Sequence, residues 1–226
     1  MNRIKKNNVM NMLSSAAEDC LLLSYRFSER GEELSISTLA RGLGVGDSTV
    51  TAMIQKLAKL KLVNHVPRRE ISLSESGVVL ARNLIRRHRL IETYLHQKLG
   101  YTWDEVHLEA ESIEHAVSEK FVEAIDRELG FPQFDPHGDP IPTRESAHDS
   151  RKLKRLSEMG VGDHGKVARI VEGKPDALLY LSRLGIGLGT DVEVTYAPAQ
   201  DEIVHISVEG VQRTLGANVA ANIMVE

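Results

Sequence analysis

At 226 residues, with 42% hydrophobic and 27% charged residues, the chain has the size and composition of a globular protein of one large domain or two to three small ones. No apolar run approaches the roughly 18 to 20 residues that span a bilayer, and the polar start MNRIKKNN carries no apolar leader, so a cytoplasmic protein without membrane contact is expected. A single cysteine, Cys20, excludes an internal disulfide and any Cys-rich zinc site, and the net charge of -4 divides into +4 over residues 1–73 and -8 over 74–226, a basic front that suits a polyanion partner.

Residues 15–30 open with cap-type serines and carry apolar side chains at helical spacing before Gly31 stops them, so they form a first helix. Residues 36–43 follow as a short helix, Gly44-Val45-Gly46 turns the chain, and Asp47 or Ser48 is expected to cap a third helix running to about Leu60. Two helices joined by a glycine-containing turn make a helix-turn-helix, whose second helix reads the major groove with its first turn. The side chains placed there are Ser48, Thr49, Thr51 and Ala52, with Gln55 and Lys56 one turn on: small, hydroxyl-bearing or hydrogen-bonding groups that can approach phosphates and base edges. Residues 62–66 and 71–73 then read as two strands whose connection carries Arg68 and Arg69, a basic wing tip that would meet the neighbouring phosphate backbone.

Residues 76–99 sustain a helical apolar period, and His88, Glu92 and His96 recur on one face. His88 and Glu92 at i,i+4 can converge on one ion. The next helix, expected to run to about Val117, carries His107, Glu111, Glu114 and His115 at i, i+4, i+7 and i+8, which places two carboxylates and two imidazoles on one face. Like charges at that spacing repel unless a cation offsets them, so a divalent metal is expected. Residues 118–129 form a further helix ended by Gly130; residues 130–150 hold four of the seven prolines and read as a linker, within which Asp135 and His137 form another possible ligand pair. From about Lys154, short β-type runs (165–171, 191–196, 203–208, 211–215, 221–225), with one helix over 176–184, suggest a small SH3-like barrel. The fold class is therefore mainly α with small β, divided into a winged helix-turn-helix domain (1–74), a helical dimerisation and metal-binding domain (75–130), a proline-rich linker (131–153) and an SH3-like β-barrel (154–226). The apolar faces of the central helices exceed what the DNA module can cover, so a homodimer is expected, and a two-fold dimer would match a palindromic operator on double-stranded DNA.

This order, and especially RRHRLIETYL followed by HLEAESIEHAVS, resembles the diphtheria toxin repressor family of metal-dependent transcriptional regulators, in the long form whose C-terminal barrel is similar to the iron-transport-associated SH3-like domain. The resemblance covers nearly the whole chain. It implies a primary metal site of Asp19, His88, Glu111, Glu114 and His115. It also implies a second site of Glu92 and His107 with Asp135 and His137, completed from the barrel by Asp176 or Glu172. Iron-responsive members tend to carry Met and Cys where this chain has Asp19 and Glu111. Hard carboxylates in place of sulfur bring the site closer to the manganese regulators, although some of those carry a Glu where this chain has Leu22. The expected function is a Mn2+-activated repressor of metal-uptake genes, in which a bound cation fixes the DNA-reading heads in one orientation. The alternatives are an Fe2+-activated repressor of the same family, a metallohydrolase that activates water on the His/Glu cluster, and a DNA-binding protein that senses nothing. Against the hydrolase stand the lack of pocket-forming loops and of a nucleophile constellation; a winged helix would be idle in it. No enzyme activity is therefore expected.

Overall fold

A computed structural model describes residues 12–29, 31, 33–65, 71–143, 149–171, 175–197 and 202–226. They form two compact units divided after Arg87.

In the first unit, α1 (Ser15–Glu29), α2 (Ile36–Leu43) and α3 (Asp47–Lys59) are followed by β1 (Val63–His65) and β2 (Ile71–Leu73). Helix α2 starts on a capping box, in which the Ser35 amide donates to Thr38 Oγ1 at 3.0 Å and the Thr38 amide donates to Ser35 Oγ at 3.1 Å. It ends on Gly44 in the left-handed conformation, φ 65°. The cap of α3 is Gly46, not Asp47 or Ser48 as the sequence implies, and it makes no side-chain cap bond. Asp47 instead lies in the first turn, where its charge suits the positive end of the helix dipole. Val50, Ile54 and Leu57 of α3 are buried with Leu39 of α2 and Ala17, Cys20, Leu21 and Tyr25 of α1. The opposite face of α3 is thereby turned outward. The two strands pair antiparallel, Val63 opposite Leu73 and His65 opposite Ile71. The wing-tip residues Arg68 and Arg69 lie outside the described residues.

The long helix α4 (Glu75–Leu99) begins in this unit. Ser74 ties its start to the turn before the first strand by accepting from the Gly77 amide (3.0 Å) and donating to the Lys61 carbonyl (2.7 Å). A Cβ on Gly77 would lie 1.9 Å from the Leu62 carbonyl oxygen, which is backbone and cannot swing aside. Gly77→Ala is therefore expected to cost about 3 kcal/mol, as overpacking against a rigid neighbour does, and urea unfolding checks it. Leu80, Ala81, Leu84 and Ile85 of α4 belong to the first core, which is why the division falls after Arg87 whereas the sequence reading puts a boundary after residue 74.

The second unit contains the rest of α4, α5 (Val106–Ile113), α6 (Glu119–Glu128), β3 (Lys154–Arg155), β4 (His164–Ile170), α7 (Pro175–Arg183), β5 (Asp191–Tyr196), β6 (Ile203–Val208), β7 (Val211–Gly216), α8 (Ala217–Ala220) and β8 (Ile223–Val225). Leu90, Ile91 and Leu95 pack with Val106, Ala110, Val122, Ile125 and Ile141. The six strands form one antiparallel sheet in the order β3-β8-β4-β5-β6-β7, the small β-domain read from the sequence. Its core holds Leu156, Val167, Ile170, Leu181, Val194, Ile206 and Leu215, with Trp103 packed against it from the helical part.

Two expectations are corrected here. Helix α5 stops at Ile113; Glu114 caps it in the α-region, its amide still donating to the Ala110 carbonyl (2.9 Å), and Glu114 to Ala116 form a turn, so the helix does not run on to Val117 as expected. The stretch read as a linker is also, in part, packed structure. Asp135 and Asp139 close a turn on each other, with the Asp135 amide donating to the Asp139 carbonyl (3.0 Å) and the Asp139 amide to Asp135 Oδ1 (2.9 Å), and Asp135, His137 and Asp139 are all buried. Proline and glycine there shape a tight turn that is held from outside by arginines, which a compositional reading does not register.

Candidate metal centre and nucleic-acid interface

Helix α4 places His88 and Glu92 one turn apart, both 2% exposed, and α5 brings His107 against them. His88 Nε2 lies 2.9 Å from Glu92 Oε1 and 3.0 Å from His107 Nδ1, and His107 Nδ1 lies 3.1 Å from Glu92 Oε1. Three donor atoms thus stand about 3 Å from one another with no room between them for a side chain. An octahedral ion with bonds of about 2.1 Å has ligand-to-ligand edges of about 3.0 Å, so the triangle fits one face of such a coordination shell. The outer nitrogens are held as well: Glu114 Oε2 sits 3.0 Å from His88 Nδ1 and Glu111 Oε1 3.3 Å from His107 Nε2. Carboxylates behind histidines fix the tautomer and turn the other nitrogen toward a metal. Glu114 Oε1 faces His115 Nε2 at 3.8 Å, so carboxylate and imidazole alternate from Glu111 through His107, Glu92, His88 and Glu114 to His115.

The electrostatics follow from this order. Burial opposes charge on His88, but Glu92 and Glu114 outweigh it and raise its pKa to about 10. His107 is raised to about 9, chiefly by Glu111 and Glu92 and against its own burial. For Glu92, burial favours the neutral acid, yet the two histidines hold it well below the usual carboxylate range. The carboxylates around His88 and His107 thus favour positive charge at this cluster, which imidazole protons or a bound cation would supply.

A second group shares Glu92 and adds Asp135 and His137, all buried. His137 Nε2 donates to the Trp103 carbonyl at 2.7 Å, which leaves Nδ1 as the ring nitrogen with a lone pair. Asp135 Oδ1 accepts the amides of His137 (2.8 Å) and Asp139 (2.9 Å). Burial and then the neighbouring charges of Asp139 and Glu92 push the Asp135 carboxyl well above its ordinary range, a strain that a cation would relieve.

Among the described residues, therefore, His88 stands with Glu92 and His107, where the family resemblance assigns it to Glu111, Glu114 and His115; Glu114 touches it from behind. Glu111 lies at the exposed rim. Asp176 is exposed in the first turn of α7 and belongs to neither group, and Glu172 lies outside the described residues. Asp19 lies on α1 in the first unit. Cys20 beside it is fully buried, and burial pushes its thiol to about 11, which leaves a packing residue and not a reactive one. What sequence reasoning missed is Arg89, one residue after His88, which faces Asp135 Oδ2 at 3.4 Å and Asp139 Oδ1 at 3.5 Å. An arginine next to a candidate ligand histidine was the available signal.

On α3, Ser48, Thr49, Ala52, Gln55 and Lys56 are exposed and Thr51 is half-buried, its hydroxyl donating to the Asp47 carbonyl at 2.7 Å. The outward face is thus free of bulky apolar groups, as close approach to a base edge requires.

Three family models match in chain order: the iron-dependent repressor N-terminal DNA-binding domain over residues 12–71, the iron-dependent repressor metal binding and dimerisation domain over 74–143, and the FeoA domain over 154–226. A manganese-dependent transcriptional repressor solved in complex with manganese is 38% identical, covers 92% of this chain and 98% of its own, and superposes with a TM-score of 0.85. The iron-dependent repressor IdeR of Mycobacterium tuberculosis is 29% identical over 84% of this chain and 87% of its own length, and the transcriptional regulator MntR of Escherichia coli O6:H1 is 35% identical over 46% and 66%. Domain order, metal-type donor groups and these similarities together place the chain in the iron-dependent repressor family, the diphtheria toxin repressor family of metal-dependent transcriptional regulators.

Proposed function

We propose that the protein is a metal-activated, DNA-binding transcriptional repressor that works as a homodimer, with Mn2+ as the activating ion and Fe2+ as the related alternative. The observation that carries the reading is the triangle of His88 Nε2, Glu92 Oε1 and His107 Nδ1 at 2.9–3.1 Å, built only from nitrogen and oxygen donors, in a chain that also turns a small, hydroxyl-bearing helix face outward. A hard, octahedral ion suits that donor set, and no thiolate is available to favour a softer one. When bound, such an ion supplies positive charge that replaces the imidazole protons and holds the carboxylates together. His88, Glu92 and His107 would hold one ion, and Glu92, Asp135 and His137 a second. Glu111 and Glu114 orient the histidines. The family resemblance instead groups Asp19, His88, Glu111, Glu114 and His115 about one primary ion, and in that arrangement Glu111 and Glu114 would be ligands themselves. The exposed Leu99, Leu108, Phe121 and Phe131 of the helical part are apolar surface suited to a second copy of the chain.

The second unit then sets metal affinity, and the α3 face with the basic wing contacts DNA: Gln55 and the hydroxyls at base edges, Lys56, Arg68 and Arg69 at phosphates. Because metal and operator are linked through one protein, each must tighten the other by the same factor. The test is to select duplexes from a random pool with Mn2+ present, then titrate a selected duplex with Mn2+ or with chelator. Tightening by about tenfold or more, and a palindromic selected site, are the expected results. Equal affinity in the two conditions would sink the reading.

A further inference from the structure

The turn that carries Asp135 and His137 is held from two sides by arginines that belong to neither donor group. From α4, Arg89 faces Asp135 (3.4 Å) and Asp139 (3.5 Å) and donates to the Pro140 carbonyl at 2.6 Å. From β4 of the barrel, Arg169 pairs with the same Asp139, which is 2% exposed. The turn is stitched to β4 along its backbone too. The Ile170 amide donates to the His137 carbonyl at 2.8 Å, and Arg151 donates to the carbonyls of Gly138 (2.6 Å) and Ala168 (2.9 Å). Gly138 has φ +83°, and a Cβ there would lie 2.2 Å from the Ala168 carbonyl oxygen, so the close approach of turn and strand needs glycine.

From this we infer that Arg169 is a positioning residue: by gripping Asp139 between β4 and α4, the barrel holds Asp135 and His137 in register with Glu92, so that uptake of the ion at that group depends on the barrel being docked. The reason is geometric and electrostatic. Asp139 is buried beside Asp135, and the two carboxylates repel unless cations stand between and behind them. Arg89 alone must divide itself between both, whereas Arg169 takes over Asp139 and leaves Asp135 aimed by its two amide bonds. The C-terminal barrel is thereby part of the metal-sensing apparatus through an ion pair, without itself donating a ligand among the described residues.

The inference rests on the functional reading above, and the experiment separates the two. Mn2+ binding to the full chain is followed by electron paramagnetic resonance, and His137→Ala identifies which ion belongs to this group. Arg169→Met should weaken that ion by about 10- to 100-fold and leave the other unchanged, the size expected when a residue that orients a ligand is lost. Arg169→Lys, which keeps the charge on a different head group, should recover part of the loss. If near-UV circular dichroism of Trp103 shows that Arg169→Met has lost the barrel, Arg169→Lys decides alone: selective weakening of the His137-dependent ion supports the inference and unchanged affinity overturns it. Unchanged binding in Arg169→Met, parallel weakening of both ions, or a wild-type chain with no His137-dependent ion would also overturn it. Wild-type protein that takes up no Mn2+ at all removes the functional reading instead.

Discussion

Glu92→Gln should weaken Mn2+ binding at both donor groups by about 100-fold and abolish metal-dependent DNA binding, measured by calorimetry and by duplex titration. Glu92 is the one residue common to the two groups, and its carboxylate faces both His88 and His107. Removing one partner of a buried charged set costs about 3 kcal/mol or more, which is a factor of about 100 in a binding constant. The amide keeps the shape of the side chain, so the loss reports charge and not packing. His107→Ala, by contrast, should affect only the ion at His88, Glu92 and His107. Equal binding by wild type and Glu92→Gln would show that the ions sit elsewhere.

The second large effect is a pH dependence with opposite signs in the two states. In the apo protein His88 is raised to about 10 and His107 to about 9, so at neutral pH both carry protons that a cation must expel. Mn2+ binding should therefore release up to two protons and strengthen as pH rises from 6 toward 9, with calorimetry in buffers of different ionisation enthalpy counting the protons. Stability of the apo protein runs the other way. A histidine whose folded pKa is raised contributes stability that is complete below its unfolded value near 6.5 and is lost as pH rises through 9 to 10. Glu92, whose folded pKa is lowered, contributes stability present above its unfolded value near 4.5 and lost only as pH falls below it. Thermal unfolding of the metal-free protein should thus be highest between about pH 4.5 and 6.5 and decline toward pH 9.5. Excess Mn2+ should reverse that decline, since the ion stabilises by mass action just where the protons leave. Metal-free protein that gains stability from pH 6.5 to 9.5 would contradict the protonated clamp.

How much of this was legible beforehand depends on the range of the interaction involved. The helices of the first unit, the glycine turn between α2 and α3, the paired strands and the outward placement of Ser48, Thr49, Ala52, Gln55 and Lys56 follow from periodicity and turn chemistry, which act over a few residues. The same holds for the small sheet and for the presence of metal-type donors on α4 and α5. The grouping of those donors was not local. His88 meets His107 and Glu114 across 19 and 26 positions, contacts that join α4 to α5 and to the turn after it. Spacing along one helix cannot say which side chains of another helix will meet it. The proline-rich stretch makes the same point, since its composition reads as a linker while arginines 46 residues before Asp135 and 30 residues after Asp139 bury it. The sequence by itself determined which chemistry the protein carries, because residue types and helical period are properties of short stretches. Only the tertiary structure decided which metal-type side chains come together and what holds them there, because burial and charge pairing are properties of surfaces that the chain brings together from far apart.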